Sequence, residues 1–197
     1  MKSFINPHIL PLINNLKGQL EIPLEAIELL SKSVKYTEME KGKVLLEEGM
    51  HCNELFFLNS GLIRTHYHNE NGEEVTSSFV QENEFFTNVK GFVNASNSNE
   101  TISMLENSCF CRIKRDDYFD IMAKHTVLFL RNLQIINTHR IELEERIRIL
   151  QNLTAKEKYK FFERNYPKLS NRVQLSFIAS FLGIRLETLG RIRKKNL

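Results

Sequence analysis

The C-terminal end of the chain concentrates side chains suited to gripping and reading a polyanion. Arg185, Glu187, Thr188, Arg191, Arg193, Lys194 and Lys195 fall within eleven positions. An arginine fork matches guanine O6 and N7, a carboxylate accepts from a cytosine amino group, and threonine and lysine suit phosphate oxygens. Glu187 and Thr188 precede Arg191 by four and three residues, which places all three on one face of a helix. Residues 151–197 carry eleven lysines and arginines against Glu157, Glu163 and Glu187, a net charge of +8. The first 150 residues carry 16 cations against 21 acids, a net −5. An acidic front with a basic tail points to a tail that meets a polyanion. The alternative is a solvated basic face with no partner.

Other clusters were weighed for catalytic or metal chemistry. His66-x-His68 followed by Glu73 resembles the H-x-H…E metal motif of cupin β-barrels, and three such ligands bind a divalent metal. The next histidine is His125, however, and Asn71-Gly72 marks this segment as an exposed hairpin tip. No metal, no cofactor and no catalytic residue is expected, so the chain is not read as an enzyme. Cys52, Cys109 and Cys111 are odd in number and form no C-x-x-C pair, which argues against a disulfide framework or a zinc site. Cys109 and Cys111 should share one strand face as small buried hydrophobes.

The elements that must position the basic residues follow from periodicity. Up to about residue 120 the chain alternates short apolar runs (Leu55–Leu58, Val75–Val80, Thr101–Leu105, Cys109–Ile113) with Gly/Asn turns, the texture of an antiparallel barrel or roll. Asn71-Gly72 predicts a hairpin, because both residues tolerate positive φ, and Ile22–Ser31 predicts a short helix. From about Tyr118 to Leu150 the pattern becomes helical. Met122, Thr126, Phe129, Leu133, Ile136, Arg140, Leu143, Ile147 and Leu150 are spaced alternately by four and three, a heptad seam broken only by Thr126 and Arg140. Such a seam suits a partner helix, and a homodimer is the economical explanation. Leu128 and Ile135 form a second stripe expected to rest on the roll. Thr154-Ala155-Lys156-Glu157 has capping-box spacing and opens a helix that stops before Pro167. Two short helices follow, pivoting on Gly183, with Ile178, Ala179, Leu182, Ile184, Leu189 and Ile192 as a small shared core: a helix-turn-helix.

With these motifs assembled, the chain resembles the Crp–Fnr family of transcription factors over nearly its whole length. Ile178–Ile184 and Glu187–Ile192 resemble that family's DNA-reading motif. Lys41-Gly42-Lys43, Gly49, Leu55–Leu58, Ser60-Gly61, Asn71-Gly72 and Asn83–Phe86 resemble landmarks of its cyclic-nucleotide-binding β-roll. The expected class is α+β: an N-terminal antiparallel β-roll of the double-stranded β-helix or jelly-roll type, a long dimerisation helix and a C-terminal helix-turn-helix domain. The boundaries are 1–120 for the sensory roll, 121–152 for the dimer helix and 153–197 for the DNA-binding domain. The resemblance implies a regulator that binds double-stranded DNA as a homodimer on palindromic operators, with RNA polymerase as a protein partner. Its effector-pocket candidates are Glu84, Phe85, Asn99 and Thr101.

Two departures qualify what the resemblance implies. Cyclic-AMP-responsive members carry a Gly-Glu pair, whose glutamate holds the ribose, and an arginine that neutralises the cyclic phosphate. Here Glu84 is matched to the glutamate with Asn83 in place of the glycine, and the loop Asn94–Glu100 contains no cation. Cyclic AMP is not expected as the effector, whose identity stays open. In the reading helix Leu186 stands where the family often has arginine, so the operator should differ from the family's best-known half-site. With Leu197 as the last residue, no β wing is expected. A sensory module that regulates a protein partner without touching DNA is the competing assignment. No apolar run is long enough to span a bilayer, and the N-terminus lacks the apolar core of a signal peptide. A cytoplasmic location without membrane contact is therefore expected.

Overall fold

The computed structural model describes residues 6–18 and 21–196, with side chains up to Lys194. Among these residues a 3-10 turn (Pro7–Ile9) leads into α1 (Leu10–Lys17) and α2 (Leu24–Ser33). Strands β1 (Lys35–Met39), β2 (Val44–Leu46), β3 (Glu54–Ser60), β4 (Ile63–His68), β5 (Glu74–Val80) and β6 (Phe85–Phe86) precede α3 (Val89–Asn94). Then come β7 (Thr101–Met104), β8 (Ser108–Lys114), α4 (Arg115–Lys124) and α5 (Thr126–Asn152). The chain finishes with α6 (Ala155–Asn165), a 3-10 turn (Leu169–Asn171), α7 (Leu175–Phe181) and α8 (Leu186–Asn196). Contacts divide it into two units, Met1–Thr65 with Phe79–Ile136, and His66–Ser78 with Asn137–Leu197.

In the first unit the period-two alternation of the strands sorts side chains to two sides. The strands form two sheets, ordered β1-β8-β3-β6 and β2-β7-β4-β5, the antiparallel roll expected. Phe56 and Leu58 from β3, Phe86, and Phe110 from β8 meet Ile63, Val80, Ile102 and Met104 from the other sheet in one core. The alternate residues Phe57, Cys111 and Ile113 belong to a second core, with Ile9, Leu12, Ile13, Leu16, Ala26, Ile27, Ile121 and Leu128. Both faces of the first sheet are thus buried, which explains why Leu55–Leu58 is continuously apolar. Leu128 is fully buried and Ile135 packs against the same core, as the second stripe of the helix predicted. Gly61 has φ +107°, and a Cβ there would meet the Ser108 side chain and lie 2.8 Å from the Asn107 carbonyl, so the turn between β3 and β4 requires glycine.

Several expectations need correction. The helix predicted from Tyr118 to Leu150 is two helices, because His125 (φ −126°, ψ 91°) leaves helical geometry. Its N–H closes α4 on Ile121, and its carbonyl accepts from Leu128 and Phe129 at the start of α5. Met122 therefore belongs to the roll-side core and not to the seam. Helix α2 begins two residues late, after Pro23 at its N-cap, while α1 and α3 were not anticipated. In the β4–β5 turn only Gly72 takes positive φ, +77°, not Asn71. Asn69 organises that turn instead, its side-chain oxygen accepting from the Asn71 and Glu73 N–H groups. Cys52 and Cys111 are buried, the latter with its thiol pushed up to about 11 by desolvation, whereas Cys109 is only half-buried.

Candidate nucleic-acid interface

The second unit builds the basic end from a compact helical core. Helix α6 opens with the capping box: the Thr154 hydroxyl accepts from the Glu157 N–H, and the Glu157 carboxylate accepts from the Thr154 N–H at 2.9 Å. The Thr154 hydroxyl and N–H hold the Glu157 carboxyl below its ordinary range. Tyr159 and Phe162 of α6 are buried, as are Leu169, Val173, Ile178, Ala179, Phe181, Leu182 and Leu189 in the segments that follow. Phe162, Tyr166 and Phe181 pack ring against ring at 5.3–6.0 Å. Helix α7 ends at a left-handed Gly183, φ +61°, whose N–H bonds the Ser180 carbonyl while the Ile184 N–H bonds that of Ala179. That glycine-dependent C-cap reverses the chain and delivers it to α8.

Helix α8 sends Leu189 into the core and turns its opposite side outward. Glu187, Arg191 and Lys194, spaced by four and three, are exposed and form one stripe; Arg185 and Leu186 are exposed at its start. Thr188 and Arg193 are half-buried on its flanks, and Arg193 lies within electrostatic reach of the inward-facing Tyr159. Lys195 lies in the helix, but its side chain is outside the described residues. Ile184 and Ile192, expected in the core, are half-buried at its margin.

Along α5 the seam residues Phe129, Leu133, Ile136, Leu143, Ile147 and Leu150 are 36–54% exposed, a row of large apolar side chains that stand open to solvent. Arg140, within the row, pairs with Glu144 at 3.0 Å. From Ile136 through Glu145 every residue is exposed.

The effector-pocket candidates do not come together as proposed. Glu84 is exposed, and its carboxylate accepts from the Gln81 N–H at 2.9 Å within a tight turn beside Asn83 (φ +70°). Phe85 faces the helix-covered side of its sheet, edge-on to Phe57. Asn99 and Thr101 belong elsewhere: the Asn99 side chain accepts from Asn88 Nδ2 at 2.9 Å, and the Thr101 hydroxyl accepts from the Glu48 N–H. Asn88 is the residue that sequence reasoning missed. It is 2% exposed, caps α3 by accepting from the Gly91 N–H, and also donates to the Glu100 carboxylate at 3.2 Å. The available signal was an asparagine just before Val89-Lys90-Gly91, an N-cap pattern. At the hairpin, His66 Nε2 lies 3.8 Å from the Glu74 carboxylate, while Glu73 instead accepts from the Asn69 side chain. Among the described residues no group of three His, Cys, Asp or Glu gathers that could hold a metal ion.

Residues 36–125 match the model of the cyclic nucleotide-binding domain. Solved structures extend the likeness over most of the chain. FixK2 from Bradyrhizobium japonicum superposes with a TM-score of 0.73 at 14% identity, covering 82% of this chain and 83% of that one. A protein from Eubacterium rectale assigned to the crp/fnr family of transcriptional regulators gives 0.73 at 16% identity, covering 92% and 87%. A CooA variant from Carboxydothermus hydrogenoformans gives 0.70 at 15% identity, covering 95% and 83%. The chain has the Crp/Fnr fold. No curated protein sequence matches it. At these identities the shared Crp/Fnr architecture is established, while the role of each side chain has to be argued from this chain's own chemistry.

Beside α3, Asn88 donates to both Asn99 and Glu100, a polar cluster that holds a carboxylate and no cation. A cyclic phosphate placed here would meet a carboxylate where it needs a charge-assisted donor.

Proposed function

We propose that the chain is a transcriptional regulator that binds double-stranded DNA as a homodimer on palindromic operators, and is not an enzyme. The observation that carries this reading is the outward stripe Glu187–Arg191–Lys194 on the second helix of a helix-turn-helix. The exposed apolar seam on α5 supports pairing with a second copy. In this reading α8 enters a major groove. Arg191 and Glu187 address base edges and Thr188 assists; Arg185, Arg193, Lys194 and Lys195 lie toward the phosphates. The chain divides functionally into a sensory roll to about residue 120, a pairing helix through 152 and a DNA-binding domain from 153, with RNA polymerase as a further partner. No helix among the described residues is long and apolar enough to cross a membrane, and the cytoplasm is the proposed site of action.

Mobility shifts on randomised duplexes followed by sequencing test the reading. The selected sequences should be imperfect palindromes with half-site centres about 34 Å, one helical turn, apart. Enrichment of no motif would defeat it and favour a sensory module that acts on a protein partner.

The polar cluster beside α3 also supports a roll that does not take cyclic AMP. Burying a phosphate against Glu100 without a cation is costly. Calorimetric titration with micromolar cyclic AMP should show no binding; saturable heat accompanied by tighter operator binding would contradict this.

A further inference from the structure

Strand β5 stands at the edge of its sheet. The second unit uses this edge. The Thr76 N–H donates to the Ser180 hydroxyl at 2.9 Å, and that hydroxyl donates to the Glu74 carbonyl at 3.4 Å. Ser180 stands in the last turn of α7, where its own carbonyl already accepts from Gly183 at the pivot. A second tie runs from α5: Arg146 donates through Nη1 to the Ser77 carbonyl and through Nη2 to the Phe181 carbonyl at 3.2 Å, with its guanidinium 4.1 Å from the Phe181 ring centroid. Phe181 is the final residue of α7, so its carbonyl is one of the orphan acceptors at a helix C-terminus. One arginine thus holds a strand edge and a helix end while rooted on the helix that carries the apolar seam.

We infer that Arg146, with Ser180, forms a clasp that fixes the helix-turn-helix against the β4–β5 hairpin and α5, so that Arg146 is a positioning residue for DNA recognition. The inference rests on the DNA-binding reading and adds its control element. All six residues lie within one unit. The clasp grips α7 immediately before Gly183, and any change in it therefore alters the direction in which α8 leaves the turn. A planar fork is needed to satisfy two carbonyls and cover a ring at once; lysine reaches one carbonyl only.

The test uses full-length protein carrying Arg146→Ala, Arg146→Lys or Ser180→Ala, read in two ways. Without DNA, amide hydrogen exchange should accelerate at Leu182, Gly183 and Ile184 in Arg146→Ala and at Thr76 in Ser180→Ala, while amides of α6 stay protected. With DNA, Arg146→Ala should lose about 2- to 30-fold more affinity for the selected operator than for random duplex. Arg146→Lys should recover part of the loss, and the dimer mass should not change. Unaltered exchange at the turn and at Thr76 overturns the clasp. So does an equal loss on operator and random duplex, which would make Arg146 a phosphate contact. Should Arg146→Ala fail to fold, Ser180→Ala, which removes only a hydroxyl, decides on the same readouts. Failure of the wild-type protein to bind any duplex would instead defeat the DNA-binding reading, and the exchange measurement would still judge the clasp.

Discussion

Replacing Leu133 and Leu143 with lysine should produce a monomer that no longer holds its operator. Both leucines stand exposed in the seam of α5, and burying a side chain of this size contributes about 1.5–3 kcal/mol. In the proposed dimer, two identical chains would place four such side chains in the interface. The double variant removes that term and sets cations beside Arg140, whose own charge already sits in the row. Lysine is chosen over glutamate because a glutamate could pair with Arg140 and disguise the effect. Sedimentation should report 23.1 kDa in place of twice that mass. A monomer grips one half-site, so operator affinity should fall by about 10²- to 10⁴-fold, the advantage that linking two binding heads confers. An unchanged dimer mass would remove the seam from the argument.

Arg191→Ala and Lys194→Ala should fail differently. Arg191 sits mid-stripe on the outward side of α8, where in the proposed reading a guanidinium would pair with a guanine edge. Its loss should cost about 1–3 kcal/mol on the preferred operator and relax base preference at one position per half-site. Lys194 lies one turn further along, toward the helix end, as a flexible point charge. Its loss should weaken all sequences alike and flatten the salt dependence by about one counterion per subunit. Repeating the duplex selection with each variant separates the two. A selected motif untouched by Arg191→Ala would mean that α8 does not read bases.

Local signals in the sequence anticipated most of what positions these residues. The Thr154–Glu157 box, the Gly183 pivot and the short apolar runs of β3 and β8 each encode their geometry within a few residues, and the structure shows them. The seam was legible because a heptad row repeats over many turns. It began too early, because the break at His125 depends on Ile121 and Met122 being claimed by the roll-side core. The polar cluster beside α3 escaped the sequence for a similar reason. Glu84 matches a pattern along the chain, whereas Asn88 matters because folding brings Asn99 and Glu100 to it across a loop. The two ties of Arg146 join residues 69 and 35 positions apart, and no periodicity reports such a meeting. The outward face of α8 needed no such meeting, since a helix places its fourth and seventh neighbours together by itself.

The exposed middle of α5 has a consequence for how much protein must be present. The helix has 27 residues and is about 40 Å long. Leu128 is buried near one end and Ile149 near the other. Between them the stretch from Ile136 to Glu145 is exposed, and a helical segment of that length holds little stability of its own in water. In the proposed dimer it would gain order from a partner helix, and pairing obeys mass action. Dilution would then do more than separate two finished subunits: it would loosen the rod inside each one. The abundance of the protein would thereby become an input to its own conformation.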